Sequence, residues 1–277
     1  MLADGGPMTA TVTASQSFAY RQPTVALGDH AGQIRSMDEH GFALIPGAMS
    51  PDEVVAAREA LDRLQPFGID GKWSDGKKLH FKCVFNRERV WLNQADRAGI
   101  IELAEKLLGD QCHLIGMSAW KTFPGGDGRY IHTDKLWAPY IPELAWEDPR
   151  FSLPPHICTA HYYLQDQTLD LCPTYVIPGS HRAGHSPVNG ETAWKGCEAE
   201  PVLCRAGDCL FFRSEVWHGG SENTSERVRY LLQVHYAHRD VAQKFTPWPF
   251  HLNPEILAVA TPRQRRLLGE HPESAYG

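Results

Sequence analysis

Residues 207–236 read GDCLFFRSEVWHGGSENTSERVRYLLQVHY. Two apolar runs, 208–213 and 228–236, are rich in aromatic and β-branched residues and are typical of strands, while the glycines and polar residues between them are typical of a turn. Similar short runs occur upstream at 41–46, 79–85, 112–123, 155–164 and 174–177. Several short strands separated by Gly and Pro turns predict a β-sandwich or barrel.

Helices are predicted on either side of these strands, at 31–40, from Pro51 to Leu64, at 99–108 and at 254–268. The second has the clearest start, because Ser50 is a good N-cap and Pro51 suits the first helical position. A chain of 277 residues with 42% hydrophobic content can form one core. We therefore expect a single domain over 29–277, after a flexible leader at 1–28 that has little to bury.

Composition also limits the partners. The net charge of −6 and the lack of a Lys/Arg run disfavour nucleic acid and anionic membranes, and no stretch has the ~18 apolar residues of a membrane span. The seven cysteines contain no Cys-x-x-Cys pair, and the N-terminus lacks the pattern of a secretory signal. These features predict a cytoplasmic protein with a small-molecule substrate, and they leave the oligomeric state open.

The sequence His132-Thr133-Asp134 can aim an imidazole and a carboxylate at one point, and a returning strand can bring His218 to the same point. Two histidines and one carboxylate form a facial triad that leaves metal positions open, which is typical of non-heme Fe(II). Among 14 histidines, roughly one His-x-Asp is expected by chance. A second His-x-Asp, at 238–240, lacks a suitable downstream partner, and we interpret it as a group of polar residues at the protein surface.

Arg229 follows His218 on the next predicted strand. Alternation places it on one face with Arg227, Leu231 and Gln233. If that face lines a barrel, the guanidinium needs an anion, because an unpaired buried charge is costly. A dicarboxylate co-substrate would supply one, and pairing with a local Asp or Glu is the alternative.

Several ordered motifs resemble the phytanoyl-CoA dioxygenase family of Fe(II)/2-oxoglutarate oxygenases. They are 41–47 (GFALIPG), 175–185 (YVIPGSHRAGH), 207–212 (GDCLFF), 218–225 (HGGSENTS) and Arg229. The resemblance covers about residues 30 to 277. It implies a mainly β double-stranded β-helix, a cupin-like jelly roll with flanking α-helices.

By this resemblance His132, Asp134 and His218 bind Fe(II), and Arg229 holds the distal carboxylate of 2-oxoglutarate. Thr174 occupies a position that hydrogen-bonds the co-substrate in similar enzymes, and His161 lies where relatives place an aromatic ring beside it. His181 and His185 fall in a structural turn. Where the family tends to have Asn-Gly before the Thr174 strand, this chain reads Asp-Leu-Cys-Pro at 170–173.

The implied reaction uses O2 and 2-oxoglutarate, releases succinate and CO2, and oxidises an unactivated C–H bond of a small metabolite in specialised metabolism. Related halogenases lack the carboxylate, so Asp134 favours hydroxylation, with desaturation, epimerisation and ring formation as variants. A lid-like insertion near 135–153 contains Trp137 and Tyr140 as candidate substrate contacts. Lys82 and Lys78 are candidates to supply positive charge that binds an anionic substrate.

The substrate class stays open among amino acids, polyketides or alkaloids, and acyl thioesters. Two other functions also stay open at this level. A metal-dependent cupin-type hydrolase or isomerase would use the same triad but has no use for Arg229. A jelly-roll binding protein without catalytic activity would need no metal.

Overall fold

Two antiparallel sheets face each other across an apolar interior. In the computed structural model of the protein, the described residues are 19–66, 76–128, 130–135, 154–188, 190–247 and 249–273. Within them the larger sheet has the strand order β1-β9-β4-β11-β3-β2, and the smaller one has the order β10-β5-β8. The strands are β1 (Phe42–Ile45), β2 (Lys78–Lys82), β3 (His113–Thr122), β4 (Ile157–Tyr163), β5 (Thr174–Val176), β6 (Ala193–Trp194), β7 (Cys197–Glu198), β8 (Glu200–Pro201), β9 (Cys209–Arg213), β10 (His218–Gly220) and β11 (Arg229–Ala237).

Helices cover the outer face of the larger sheet. They are α1 (His30–Glu39), α2 (Pro51–Arg63), α3 (Arg89–Leu92), α4 (Ile101–Leu108), α5 (Pro254–Val259) and α6 (Pro262–Leu267). Ser50 and Glu53 form the capping box that starts α2. The prediction of a mainly β jelly roll with flanking helices is confirmed.

Alternation along the strands divides the core into two layers. On β11, Leu232, Val234 and Tyr236 pack outward into the layer shared with the helices. Leu231 points inward and packs with Leu44, Tyr163 and other residues between the sheets. Inward-facing positions of neighbouring strands therefore form rows across the barrel. The rows through Arg229, Gln233 and His235 contain further polar side chains, among them Thr122, Ser118, His161 and Thr159.

The structure differs from the predicted elements at the C-terminal helix and at the end of β2. The predicted helix 254–268 is broken into α5 and α6, because Pro262 forces Thr261 into an extended conformation, where its side chain caps α6. The predicted strand 79–85 ends at Lys82, because Cys83 adopts a left-handed φ of 49° and a 3-10 turn follows at Val84–Asn86.

The end of the predicted leader is tied to the barrel. Gln22 is buried and donates to the Pro201 carbonyl, and Val25 donates to the Leu44 carbonyl. Ordered packing therefore begins before Asp29. Residues 1–18 and 136–153, which include most of the predicted leader and the lid-like insertion, lie outside the described residues. Within the described chain, every helix is too short or too polar to cross a bilayer.

Candidate metal centre

The loop after β3 is joined to β10 by backbone hydrogen bonds. His132 N–H donates to the His218 carbonyl at 2.8 Å, and His218 N–H donates back to the His132 carbonyl at 2.9 Å. The Asp134 N–H donates to the Ser214 carbonyl at 3.0 Å. This isolated β-bridge brings His218 beside His132 and Asp134, which lie far upstream in the sequence.

Both imidazoles are oriented by carbonyls two residues upstream. His132 Nδ1 lies 2.7 Å from the Tyr130 carbonyl oxygen, and His218 Nδ1 lies 2.9 Å from that of Val216. A carbonyl accepts only, so each Nδ1 is a donor, and Nε2 is the ring nitrogen left to face a metal ion. Such orienting hydrogen bonds are typical of histidines that bind metals.

The two Nε2 atoms face one carboxylate. The His132 and His218 Nε2 atoms lie 3.7 and 3.8 Å from the Asp134 carboxylate oxygens. All three ligand atoms lie within 4.8 Å of one another, and no other trio of His, Cys, Asp or Glu in the described chain meets that condition. Burial raises the pKa of Asp134, but His218 and His132 outweigh this effect and hold the pKa below its usual range. The carboxylate is therefore ionised and suited to a divalent cation.

The other histidine motifs of the sequence do not belong to this His–Asp–His cluster. His238 and Asp240 lie at the surface, with side chains 42% and 85% exposed. His181 belongs to a 3-10 turn at Ser180–Arg182, and burial is the main cause that lowers its pKa to about 3. None of these side chains belongs to the metal-binding group.

Arg229 lies inside the barrel at the opposite end of β11 from His235. It is 8% exposed, and it donates from Nε to Gln167 Oε1 at 3.2 Å and from a terminal nitrogen to Thr174 Oγ1 at 3.1 Å. Both acceptors are neutral, and within the described chain no carboxylate lies within 4.0 Å of its guanidinium. The local pairing with Asp or Glu is thus not observed there, and the guanidinium suits an anionic ligand such as the distal carboxylate of 2-oxoglutarate.

Arg227, by contrast, lies just before β11 and is not part of the inward face. It donates to Thr168 and pairs with Asp170 at the surface. The turn that departs from the family pattern lies here. Cys172 adopts the left-handed φ of 51°, and the Asp170 carbonyl accepts from the N–H groups of Thr224 and Ser225.

His161 and Gln233 lie opposite each other on β4 and β11. The Gln233 amide donates to His161 Nε2 at 2.8 Å, while Gln233 Oε1 accepts from Trp120 Nε1 at 2.7 Å and from Ser118. Burial holds the pKa of His161 well below its usual range. The neutral ring therefore carries its proton on Nδ1, which is buried without a hydrogen-bond partner in the described structure. This unsatisfied N–H group can donate a hydrogen bond to an oxygen atom of an oxygen-rich co-substrate.

Gln233 was not predicted as a site residue. The available signal was its alternation with Arg229, but alternation does not show which partners a side chain finds. Lys82 lies at the end of β2, on the inward row through Gln233. Trp137 and Tyr140 lie outside the described residues.

The facing sheets and the His–Asp–His cluster define a non-heme metal enzyme of the jelly-roll class. A family model for phytanoyl-CoA dioxygenase (PhyH) matches residues 37–230. The chain therefore belongs to the phytanoyl-CoA dioxygenase family and is a non-heme iron, 2-oxoglutarate-dependent dioxygenase. Iron and 2-oxoglutarate are the cofactors, and the described residues fit both.

Relatives and solved structures agree with this assignment. Dioxygenase af480 of Aspergillus fumigatus is 23% identical over 287 residues, which cover 95% of this chain and 83% of that protein. HygX from Streptomyces hygroscopicus has been solved with nickel and 2-oxoglutarate bound. Its structure matches with a TM-score of 0.62 at 19% identity, and the match covers 76% of this chain and 88% of the HygX chain. The epimerase SnoN, solved with Fe3+, alpha ketoglutarate and nogalamycin RO, has a TM-score of 0.61 at 18% identity over 81% of this chain and 94% of its own.

Proposed function

We propose that this enzyme hydroxylates an unactivated C–H bond of a small metabolite in specialised metabolism, with release of succinate and CO2. The observation that carries the proposal is the pairing of two features in one barrel. Three metal-ligand atoms converge within 4.8 Å, and a buried arginine on the same barrel has only neutral acceptors among the described residues. A metal-dependent cupin-type hydrolase or isomerase explains the first feature but gives no role to Arg229.

Each residue is assigned a role in this proposal. His132, Asp134 and His218 hold Fe(II), Arg229 and Thr174 bind the distal carboxylate of 2-oxoglutarate, and the Nδ1–H of His161 donates to the co-substrate near the metal. When bound, the metal and 2-oxoglutarate supply O2 activation and the oxidising power. The protein fixes the ligands, positions the target C–H bond and excludes water.

Asp134 supports hydroxylation rather than halogenation. Because its carboxylate faces both Nε2 atoms, it occupies the ligand position that halogenases of this type leave for chloride. Epimerisation, the activity named for SnoN, desaturation and ring formation require only a different placement of the substrate. The substrate therefore decides among them.

The partners and compartment are part of the same proposal. None of the seven cysteines forms a disulfide in the structure, which suits the cytoplasm because disulfides are rare there. HygX has been solved with hygromycin B and SnoN with nogalamycin RO, both small molecules. A small metabolite, rather than nucleic acid or a membrane surface, is therefore the proposed substrate of this enzyme.

An anaerobic titration tests the proposal. We expect wild-type protein loaded with Fe(II) to develop the visible charge-transfer band of the chelate when 2-oxoglutarate is added. The band should be lost in His132→Ala and kept in His238→Ala, a control in the other His-x-Asp motif. Full metal loading of the wild type without a band would contradict the proposal. Succinate release across a metabolite panel then identifies the substrate.

A further inference from the structure

Gln233 lies at the centre of a series of hydrogen bonds that crosses three neighbouring strands, β3, β11 and β4. Its amide oxygen accepts from Trp120 Nε1 at 2.7 Å and from Ser118 Oγ at 3.1 Å, both on β3. Its amide nitrogen lies 2.8 Å from His161 Nε2, on β4. The strand pairing sets Gln233 directly opposite Ser118 and His161, so the backbone register brings these groups together.

The orientation of the Gln233 amide follows from its partners. An indole N–H can only donate, so the atom that faces Trp120 must be the amide oxygen. The NH2 group then faces His161, and because this group cannot accept, His161 Nε2 must be the acceptor and carries no proton. Trp120 is itself held in place, since its ring stacks on His80 with centroids 3.7 Å apart and planes 8° apart. The directions of the hydrogen bonds to and from Gln233 are therefore fixed.

The same hydrogen bond fixes the position of the proton on His161. Burial is the main cause that holds the pKa of His161 well below its usual range, so the ring carries one proton. Because Nε2 is bare, that proton lies on Nδ1. The Nδ1–H group is buried and has no hydrogen-bond partner within the described structure. A buried donor without an acceptor is costly unless a ligand supplies the acceptor.

His161 lies near both the metal centre and Arg229. Its ring packs edge-on against Phe212 with centroids 4.8 Å apart, and the His218 ring packs against the same phenyl group at 4.8 Å. One phenyl ring therefore bridges His161 and a metal ligand. After burial, the charges of His218 and Arg229 contribute most to lowering the pKa of His161, so Arg229 is also nearby. An oxygen-rich molecule that joins the metal to Arg229 is therefore a suitable acceptor for the Nδ1–H group.

We propose that Gln233 is a positioning residue that holds His161 in the Nδ1–H form, so that His161 donates to 2-oxoglutarate. Trp120 and Ser118 fix the Gln233 amide in the orientation that this role requires. The donor is thus prepared before the co-substrate arrives, and its binding needs no reorganisation of these side chains. The inference rests on the proposed function, because it gives His161 a defined partner at that site. The position of the proton on His161 is measurable without turnover.

Nitrogen-15 NMR of the histidine rings tests the position of the proton. The full-length protein is loaded with Zn(II), a diamagnetic substitute for Fe(II), and the His161 signals are identified by their absence from His161→Phe. We expect wild-type His161 to show a protonated Nδ1 and a bare Nε2. In Gln233→Met the proton should spread over both ring nitrogens, because nothing then holds it off Nε2. Trp120→Phe keeps a ring to stack on His80 but removes the N–H that fixes the amide, and it should produce a smaller shift in the same direction.

The affinity for 2-oxoglutarate tests the consequence of this proton position, and it is measured from the charge-transfer band of the anaerobic Fe(II) protein. We expect His161→Phe to weaken 2-oxoglutarate binding by about tenfold, because a hydrogen bond to a charged group is lost. Gln233→Met should weaken it by about threefold, because only the fraction of the protein in the Nδ1–H form is competent to bind. In the His161→Phe background, Gln233→Met should have no further effect, since Gln233 acts through His161.

Gln243→Met is the matched control for the loss of a glutamine amide. The Gln243 amide donates to the carbonyls of Leu114 and Leu267 and takes no part in the hydrogen bonds of Gln233. This variant should leave both the His161 signals and the affinity for 2-oxoglutarate unchanged.

The outcomes separate this inference from the proposed function. A wild-type His161 with its proton on Nε2 would contradict the inference, and so would an undiminished effect of Gln233→Met in the His161→Phe background. If the band forms but neither Gln233→Met nor His161→Phe changes the affinity for 2-oxoglutarate, His161 does not donate to the co-substrate and the inference is wrong. If no band forms in the wild type, the proposed function fails, while the NMR signals still decide whether Gln233 fixes the proton of His161.

Discussion

Arg229 is the residue through which co-substrate choice can be tested most directly. Its guanidinium is held by Gln167 and Thr174, both neutral, inside the barrel. We expect Arg229→Met to raise the KM for 2-oxoglutarate by about 100-fold, because charge-assisted hydrogen bonds to a carboxylate are lost. Steady-state succinate release at varied 2-oxoglutarate measures this change.

Arg229→Lys is the matched control for charge. A lysine keeps the positive charge but cannot form two parallel hydrogen bonds, so it should recover only a small part of the affinity. Fe(II) binding should be unchanged in both variants, because Arg229 is not a metal ligand. An unchanged KM for 2-oxoglutarate in the methionine variant would show that Arg229 does not bind the co-substrate.

At the scale of elements, the metal centre depends on the close approach of the loop after β3 to strand β10. Gly128 lies in that loop, and a Cβ at this position would overlap the backbone of Gly220 and Ser221. Gly128→Ala should push His132 away from His218 and weaken Fe(II) binding by about 10- to 100-fold. Competition with a chromophoric chelator measures the affinity.

The control is Gly116→Ala, also an added methyl group in the barrel. Its Cβ meets only the His235 ring, at ordinary contact distance. This variant should bind Fe(II) like the wild type. Equal affinities of Gly128→Ala and wild type would show that the loop and β10 tolerate separation, and the proposed dependence of the site on their contact would be wrong.

At the scale of the whole molecule, neutral buried histidines make stability depend on pH. Burial, with Arg213 and Arg182 nearby, lowers the pKa of His181 from 6.5 to about 3. The unfolded chain therefore binds a proton that the folded protein excludes, and stability is retained above pH 6.5 and lost as the pH falls from 6.5 towards 3. His80 behaves in the same way.

Urea unfolding of the metal-free protein at pH 7.5 and at pH 5 measures this effect. We expect His181 to account for roughly 1–2 kcal/mol of the loss in unfolding free energy between these values. In His181→Gln the loss should be smaller by that amount, since glutamine does not titrate and the metal ligands titrate equally in both proteins. The same pH dependence in both proteins would contradict a neutral buried His181.

The sequence predicted most of the fold because its signals are local. Alternating apolar residues, the Ser50-Pro51 start of α2 and the glycine-rich turns each act over a few residues, so the main strands and the first helices agree with the prediction. The break at Pro262 and the short strand β10 were missed, because a proline can either kink or end a helix, and a three-residue strand has too few residues to show a period.

By itself, the sequence determined the order of the chemistry-bearing residues and the family, and it placed Arg229 on one face of its strand with Leu231 and Gln233. Only the tertiary structure decided which atoms meet. The β-bridge between His132 and His218 and the hydrogen bonds of Gln233 to His161, Trp120 and Ser118 join residues far apart along the chain. These contacts depend on how the two sheets pack against each other. The residues next to a given position in the sequence do not specify that packing.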